Sequence, residues 1–353
     1  MPQEKGLIYL NENAWKNLDI TINKLDPSSI FVLVDTETEK HCLPYFTEKF
    51  NSISTFSVLR IKAGETHKNI STCISIWEEL VELGADRNSL IINLGGGVVT
   101  DLGGFIASTF KRGIPFINIP TSLLAMVDAS VGGKTGIDLG NIKNQIGTIQ
   151  LPEIVLIDTL FLDSLPKPQL LSGMAEMIKH GLIKGEDEWE KIKLMNPNNK
   201  QDFEKLIWDS IHIKNSVVLE DPLEKGKRKV LNFGHTLGHA IESYFLSNND
   251  KTPLLHGEAI AIGMILAVYL SNKKVGLEKN KLNSISKHII SLYPKQDFTI
   301  KDIEEIQSLT IYDKKNRNGK VLFVLMNDFS NFTNDCHVDK QLILNAFEYY
   351  SGL

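Results

Sequence analysis

Short apolar runs rich in branched side chains recur along the first part of the chain, and between them apolar positions fall at helical spacing. Ile30–Val34 (IFVLV), Leu90–Leu94 (LIINL), Phe116–Ile119 and Ile154–Ile157 read as buried strands. Residues 66–83 place Ile70, Cys73, Ile74, Trp77, Leu80 and Val81 on one helical stripe, and Gly84 stops it. Another helix-compatible stretch follows Gly95-Gly96-Gly97 and runs to Thr109. Strands alternating with helices predict a parallel sheet covered on both faces. After about residue 165 the texture changes: helical patterns occupy 168–184, 201–220, 232–246, 256–272 and 276–292, and Val321–Met326 is the only later strand candidate. A boundary near Leu165-Pro166 therefore divides an α/β half, residues 1–165, from a mostly helical half, residues 166–353.

A chain of 353 residues accommodates two cores. A net charge of -5 argues against a general nucleic-acid binder, so any positive patch is local and suits a small anionic ligand. The first residues, MPQEKGLIYLNENAW, have no apolar stretch of leader length behind a basic start. The longest apolar run, Ala259–Leu270, has twelve residues and is too short to span a bilayer. Three widely spaced cysteines, Cys42, Cys73 and Cys336, fit no disulfide framework and no metal knot. The expected location is a reducing cytoplasm.

Two glycine clusters are candidates for anion binding. Gly95-Gly96-Gly97 stands between a strand and a helix, where backbone N–H groups and the helix dipole favour a pyrophosphate. The dinucleotide fingerprint is incomplete, because Thr100 takes the third glycine position and no acid follows at ribose-binding distance; a merely tight turn is the other reading. Asp128-Ala-Ser-Val-Gly-Gly-Lys-Thr135 is not a Walker loop, since Asp128 occupies the first glycine position. Lys134 there is either an anion ligand or part of a surface turn.

Histidines supply the third cluster. His235 and His239 are four apart and share one face of a helix, while His256 opens another helical segment. Thr236 fills the slot where a zincin peptidase has its glutamate. A catalytic zinc takes three N/O ligands and leaves a position open, and both Glu176 and His180 qualify beside the histidines. The bland reading is that these histidines cap helices or satisfy a polar core. The basic run Lys225-Gly-Lys-Arg-Lys229 is a solvated face or, next to a metal, an anion clamp.

Nine segments in this order resemble the 3-dehydroquinate synthase family over nearly the whole chain: Ala63–Lys68, Gly95–Phe105, Lys111–Ile114, Pro120–Thr135, Lys143–Gly147, Gly173–Gly181, Leu231–Glu242, Leu255–Ala259 and Asp313–Asn316. The resemblance implies a Rossmann-like N-terminal domain binding NAD+ and a helical C-terminal domain binding metal and substrate. It implies a zinc or cobalt ion on Glu176, His235 and His256, with His239 as a proton relay. NAD+ would lie against Gly96, Gly97, Val98, Val99, Thr100 and Asp101. Glu65, Lys68, Thr121, Ser122, Phe161, Leu162, Asp163 and Ser164 would surround its ribose and phosphates. Asp128 would sit near the nicotinamide and Asp35 would reach the adenine ribose. The substrate's anionic groups and hydroxyls would meet Lys134, Asn144, Lys179, Lys214, Arg228, Asn232 and one of Lys314 or Lys315, with Lys143 between cofactor and substrate. Arg112 would cross a homodimer interface to a neighbour's substrate phosphate. Ile142 departs from the family pattern, where a glycine precedes Lys-Asn; so do Ser122, for a second threonine, and Pro222, for a glutamate. The first of these touches the backbone beside Lys143.

The implied reaction converts 3-deoxy-D-arabino-heptulosonate 7-phosphate to 3-dehydroquinate and phosphate: transient oxidation, phosphate loss, re-reduction and an intramolecular aldol closure. Other sugar-phosphate cyclases share the metal and NAD+ residues but change those that read a carboxylate. A glycerol-type dehydrogenase would share the glycine turn, consume NAD+ and lack Leu-Asn-Phe-Gly-His. A nucleotide-binding regulator would need neither an intact ligand set nor so many substrate cations.

Overall fold

The computed structural model describes residues 5–50, 55–140, 142–310 and 321–353. Its strands are β1 (Leu7–Leu10), β2 (Ile30–Asp35), β3 (Ser57–Ile61), β4 (Leu90–Gly95), β5 (Phe116–Pro120), β6 (Lys134–Leu139), β7 (Ile142–Ile149), β8 (Ile154–Ile157), β9 (Leu322–Asp328) and β10 (Asn331–His337). The helices are α1 (Asn11–Leu25), α2 (Thr36–His41), α3 (Leu43–Lys49), α4 (Ile70–Glu82), α5 (Gly97–Thr109), α6 (Lys167–Lys184) and α7 (Glu186–Lys193). They continue with α8 (Lys200–Glu220), α9 (His235–Ser247), α10 (His256–Lys274), α11 (Lys279–Leu292), α12 (Ile300–Leu309) and α13 (Lys340–Ser351). The chain separates into two compact units, residues 1–170 and 171–353.

The first unit is built on a six-stranded parallel sheet in the order β1-β8-β5-β4-β2-β3. β4, β5 and β8 are buried along their whole length and β2 along all but its last residue, as expected for strands covered on both faces. Phe31, Leu33, Leu59, Ile61, Ile91 and Phe116 pack on one side against Cys73, Ile76 and Leu80 of α4 and Val99, Leu102 and Ile106 of α5. The helical stripe is narrower than its sequence suggests. Ile76 joins the core, whereas Ile70, Ile74 and Val81 remain exposed, and a short turn at Glu65–His67 precedes the helix. From β2 the chain moves outward to β3, then returns beyond β2 to β4 and continues away through β5. In open parallel sheets ligands bind at the carboxyl ends of strands where the order reverses in this way.

A separate hairpin, β6–β7, packs on α5. The stretch 128–135, a surface turn by one sequence reading, is largely interior: Ala125–Ala129 form one π-type turn and Ser130, Val131 and Thr135 are buried, while the Lys134 side chain stays exposed. No helix among the described residues is long and apolar enough to cross a membrane.

The second unit is helical around α10, which is buried from Gly257 through Leu270 apart from Glu258 and Tyr269. A helix apolar on all sides belongs at the centre of a bundle, and α9, α11, α13 and β9 pack around it. Glycine decides how closely. A Cβ on Gly263 would stand 2.1 Å from the Gly234 carbonyl oxygen, and one on Gly257 would stand 2.0 Å from the Ser172 carbonyl oxygen. The backbones of α9 and α6 thus touch α10 directly. The later strand expected at Val321–Met326 is β9, but it pairs with a second strand, β10, that the sequence reading lacks. Its sequence, NFTNDCH, alternates between exposed and half-buried positions with little apolar content.

Gly263→Ala would ordinarily favour a helix. Here it should destabilise by about 1–3 kcal/mol through forced separation of α9 and α10. A thermal melt matching that of the wild type would contradict the close approach.

Candidate active site

The glycine contacts set the geometry of the second unit's buried ionisable groups. Glu176 on α6, His235 at the start of α9 and His256 at the start of α10 converge: Glu176 Oε1 lies 3.4 Å from His235 Nε2 and 3.8 Å from His256 Nε2. Both rings are oriented from behind. His235 Nδ1 donates to the Phe233 carbonyl at 3.0 Å, and His256 Nδ1 donates to Glu242 Oε2 at 3.2 Å. Their Nε2 atoms therefore face the carboxylate, and neither oxygen of Glu176 has a partner in hydrogen-bond geometry. Such a fully buried carboxylate facing two oriented imidazoles has the N/O donor set and outer partners of a catalytic divalent metal site. Burial raises the Glu176 pKa, yet Lys179 and His235 outweigh it and hold the carboxyl well below its usual range. Burial and Lys179 keep His235 low, favouring the neutral, ligating form. Burial also opposes charge on His256, but Glu242 and Glu176 push its pKa up to about 9. Positive charge is favoured at this corner.

His239 shares the α9 face with His235. Candidate ligand nitrogens of His235, His239 and His256 all lie within 4.8 Å of one another. His180, the other open candidate, bonds Ser210 of α8 through Nδ1 at 2.7 Å and keeps a ring nitrogen within 4.8 Å of a Glu176 oxygen. Three predicted substrate cations of this unit are buried: Lys179, Lys214 and Arg228. Lys179 forms an ion pair with Glu176. Arg228 Nη1 donates to the Pro222 carbonyl at 2.8 Å, so the departure at Pro222 leaves a backbone acceptor that steadies the guanidinium. Asn232 Nδ2 donates to Glu224. Of the basic run, Lys227 and Lys229 form ion pairs with Glu220 and Asp335, and Arg228 alone among the charged groups turns inward.

In the first unit the predicted nucleotide residues lie at the carboxyl ends of the parallel strands. Asp35 ends β2 and caps α2, accepting from Glu37 N and Thr38 N. Gly95 ends β4, and Gly96 and Gly97 open α5 with no side-chain cap. The backbone N–H groups of Gly97, Val98 and Val99 are those of the first helical turn. A Cβ on Gly95 would strike Val99 at 2.5 Å, so the tight turn and the open helix end are one feature. Thr121 and Ser122 follow β5, with Thr121 N donating to Gly95 O at 3.0 Å. Phe161, Leu162, Asp163 and Ser164 belong to the turn Thr159–Ser164 after β8. Thr100 turns its hydroxyl back to the Gly96 and Gly97 carbonyls. Asp128 sits in the π-type turn.

Lys68, buried, bridges Asp101 Oδ2 and Asn144 Oδ1, both at 2.6 Å. Burial lowers the Lys68 pKa, but the charges of Asp101 and Glu65 raise it above its ordinary value. Lys143 pairs with Glu65 at 3.0 Å. Ile142 needs no glycine: it pairs with Leu139, and the left-handed residue is Asn144, with φ 53°. Arg112 is exposed in a turn where Lys111, Arg112 and Gly113 have φ of 48°, 71° and 109°. Lys314 and Lys315 lie outside the described residues.

Two groups went unassigned in the sequence. Glu242 orients His256, and its place seven residues after His235 on α9 was the available signal. Asp138, on β6, is buried and accepts from Asn144 N at 2.6 Å. Nothing in its local sequence marks it.

A family model described as 3-dehydroquinate synthase N-terminal matches residues 58–172, and one described as 3-dehydroquinate synthase C-terminal matches residues 173–316. The 3-dehydroquinate synthase of Parabacteroides distasonis is 41% identical over 331 residues, 93% of each chain. That of Campylobacter fetus is 40% identical over 347 residues, covering 97% of this chain and 99% of its own. A solved 2-deoxy-scyllo-inosose synthase, complexed with carbaglucose-6-phosphate, NAD+ and Co2+, superposes with a TM-score of 0.83 at 27% identity, covering 97% of this chain and 96% of its own. Matched in both halves and along most of its length, the chain belongs to the 3-dehydroquinate synthase family.

Proposed function

We propose that this chain converts 3-deoxy-D-arabino-heptulosonate 7-phosphate to 3-dehydroquinate and phosphate, with an NAD-binding α/β domain over residues 1–165 and a metal- and substrate-binding helical domain over 166–353. The observation that carries the reading is the convergence of Glu176, His235 and His256 in a unit that also buries Lys179, Lys214 and Arg228. The reaction needs a hydride acceptor and a Lewis acid, and NAD+ and Co2+ accompany the related inosose synthase. Glu176, His235 and His256 would hold Zn2+ or Co2+. When bound, the cation polarises the reacting oxygen and NAD+ takes and returns a hydride at one carbon.

The chain's own residues do the rest. The first turn of α5 binds the pyrophosphate through backbone N–H groups. Lys134, Asn144, Lys179, Lys214, Arg228, Asn232 and one of Lys314 or Lys315 hold the carboxylate, hydroxyls and phosphate, fixing the substrate for an ordered series of steps. His239 moves a proton between solvent and substrate. Glu242 keeps the His256 ring in one orientation. Arg112 completes the phosphate site of a second copy in a homodimer. The support is its turn, where two consecutive non-glycine residues hold the left-handed conformation beneath an exposed guanidinium.

Three measurements test this reading. With the heptulosonate phosphate and trace NAD+, phosphate release should exceed NADH formation by many turnovers. NADH rising in step with substrate loss, without phosphate, would make the chain a dehydrogenase. In His256→Ala, bound zinc and turnover should disappear together, and full metal content would remove His256 from the ligand set. Mixing Arg112→Ala with a His235→Ala partner should restore part of the activity in hybrid dimers. Hybrids that form and stay inactive would place Arg112 in its own subunit's site or in none.

A further inference from the structure

The β6–β7 hairpin contains an irregularity that singles out one residue. Ile137 pairs with Ile146 and Leu139 pairs with Ile142, so a single residue of β6, Asp138, stands opposite three residues of β7, Lys143, Asn144 and Gln145. Such a bulge removes ladder partners from the extra residues and re-aims their side chains. The Asn144 N–H is taken up by Asp138 Oδ1 at 2.6 Å, with Asn144 in the left-handed region at φ 53°. Asp138 is tied in turn through its own N–H to the Lys68 carbonyl at 2.8 Å. Lys68 then returns to the Asn144 side chain and to Asp101 on α5. The loop of contacts closes on Asn144, while its neighbour in the bulge, Lys143, pairs with Glu65.

We propose that Asp138 is a positioning residue, its carboxylate filling the bulge and thereby aiming Lys143 and Asn144 at cofactor and substrate. The role requires an acceptor oxygen at that reach and not a negative charge. Asparagine therefore serves, and alanine does not. Without that acceptor the Asn144 N–H loses the bond that holds it in place, and the left-handed Asn144 would relax toward ordinary backbone angles. The charged groups around Asp138 are Lys68, Glu65 and Lys143.

The inference rests on the proposed roles of Lys143 and Asn144, so its test has an arm independent of turnover. Hydrogen exchange resolved to the Asn144 amide should show protection in the wild type. In Asp138→Ala that amide should exchange about 10-fold faster or more, and kcat/KM for the sugar phosphate should fall about 10-fold or more. Asp138→Asn should keep both within roughly 3-fold of wild type, since one neutral hydrogen bond replaces a charged one. An Asp138→Ala protein with unchanged exchange and turnover overturns the proposal, as does an Asp138→Asn protein impaired as badly as alanine. Should the alanine protein fail to fold, a wild-type Asn144 amide exchanging like a free peptide still overturns it, and a protected amide with a functional Asp138→Asn protein supports it. If the wild type releases no phosphate, the reaction assigned above falls while the exchange data still judge Asp138.

Discussion

Glu176 is a carboxylate with no exposure to solvent, and removing such a charge from water costs several kcal/mol unless compensating charge surrounds it. The second unit is arranged around that requirement. Lys179, one turn along the same helix, forms its ion pair, and two imidazoles from α9 and α10 turn their Nε2 atoms toward it. Behind them, the Phe233 carbonyl and Glu242 hold the rings in those orientations. A divalent cation at this convergence would add to the positive charge that Lys179 supplies at Oε2.

That convergence depends on backbone distance before it depends on side chains. Side chains from three helices meet only if the helices nearly touch, and Gly234, Gly238, Gly257 and Gly263 allow it. A methyl group at any of them would fall within 3 Å of an atom on a neighbouring segment. The same economy operates at β4–α5, where Gly95 makes the turn tight and Gly103 lets the helix lie against Asn93 and Leu33. The glycines beside the functional residues are thus packing devices whose effect is chemical placement.

In the first unit the parallel sheet brings segments far apart in sequence to one edge. Asp35 ends β2, and Glu65, Gly96, Thr121 and Phe161 follow β3, β4, β5 and β8. The loops gather because every parallel strand ends on the same side. Lys68 then couples α5 to the β6–β7 hairpin through Asp101 and Asn144, so Asp101 serves as its counter-ion within the protein.

Element type was readable wherever one period dominated. The apolar runs of β2, β4, β5 and β8 and the stripes of α6, α8, α9, α10 and α11 stand where hydrophobic spacing put them, with ends shifted by a few residues. β10 escaped because it is polar and exists by pairing with β9, a partner that no local window contains. Histidine spacing placed His235 and His239 on one face, and motif order identified the family. By itself that spacing left Glu176 and His180 equivalent, since both are titratable groups on one turn of the same helix. In the tertiary structure His180 Nδ1 meets Ser210 and Glu176 Oε1 faces His235 and His256, while a His180 ring nitrogen still lies within 4.8 Å of a Glu176 oxygen. Asp138 and Glu242 became legible only in three dimensions. A carboxylate acquires its role from the N–H it faces, and residue order carries composition and period but not which buried groups come to face one another.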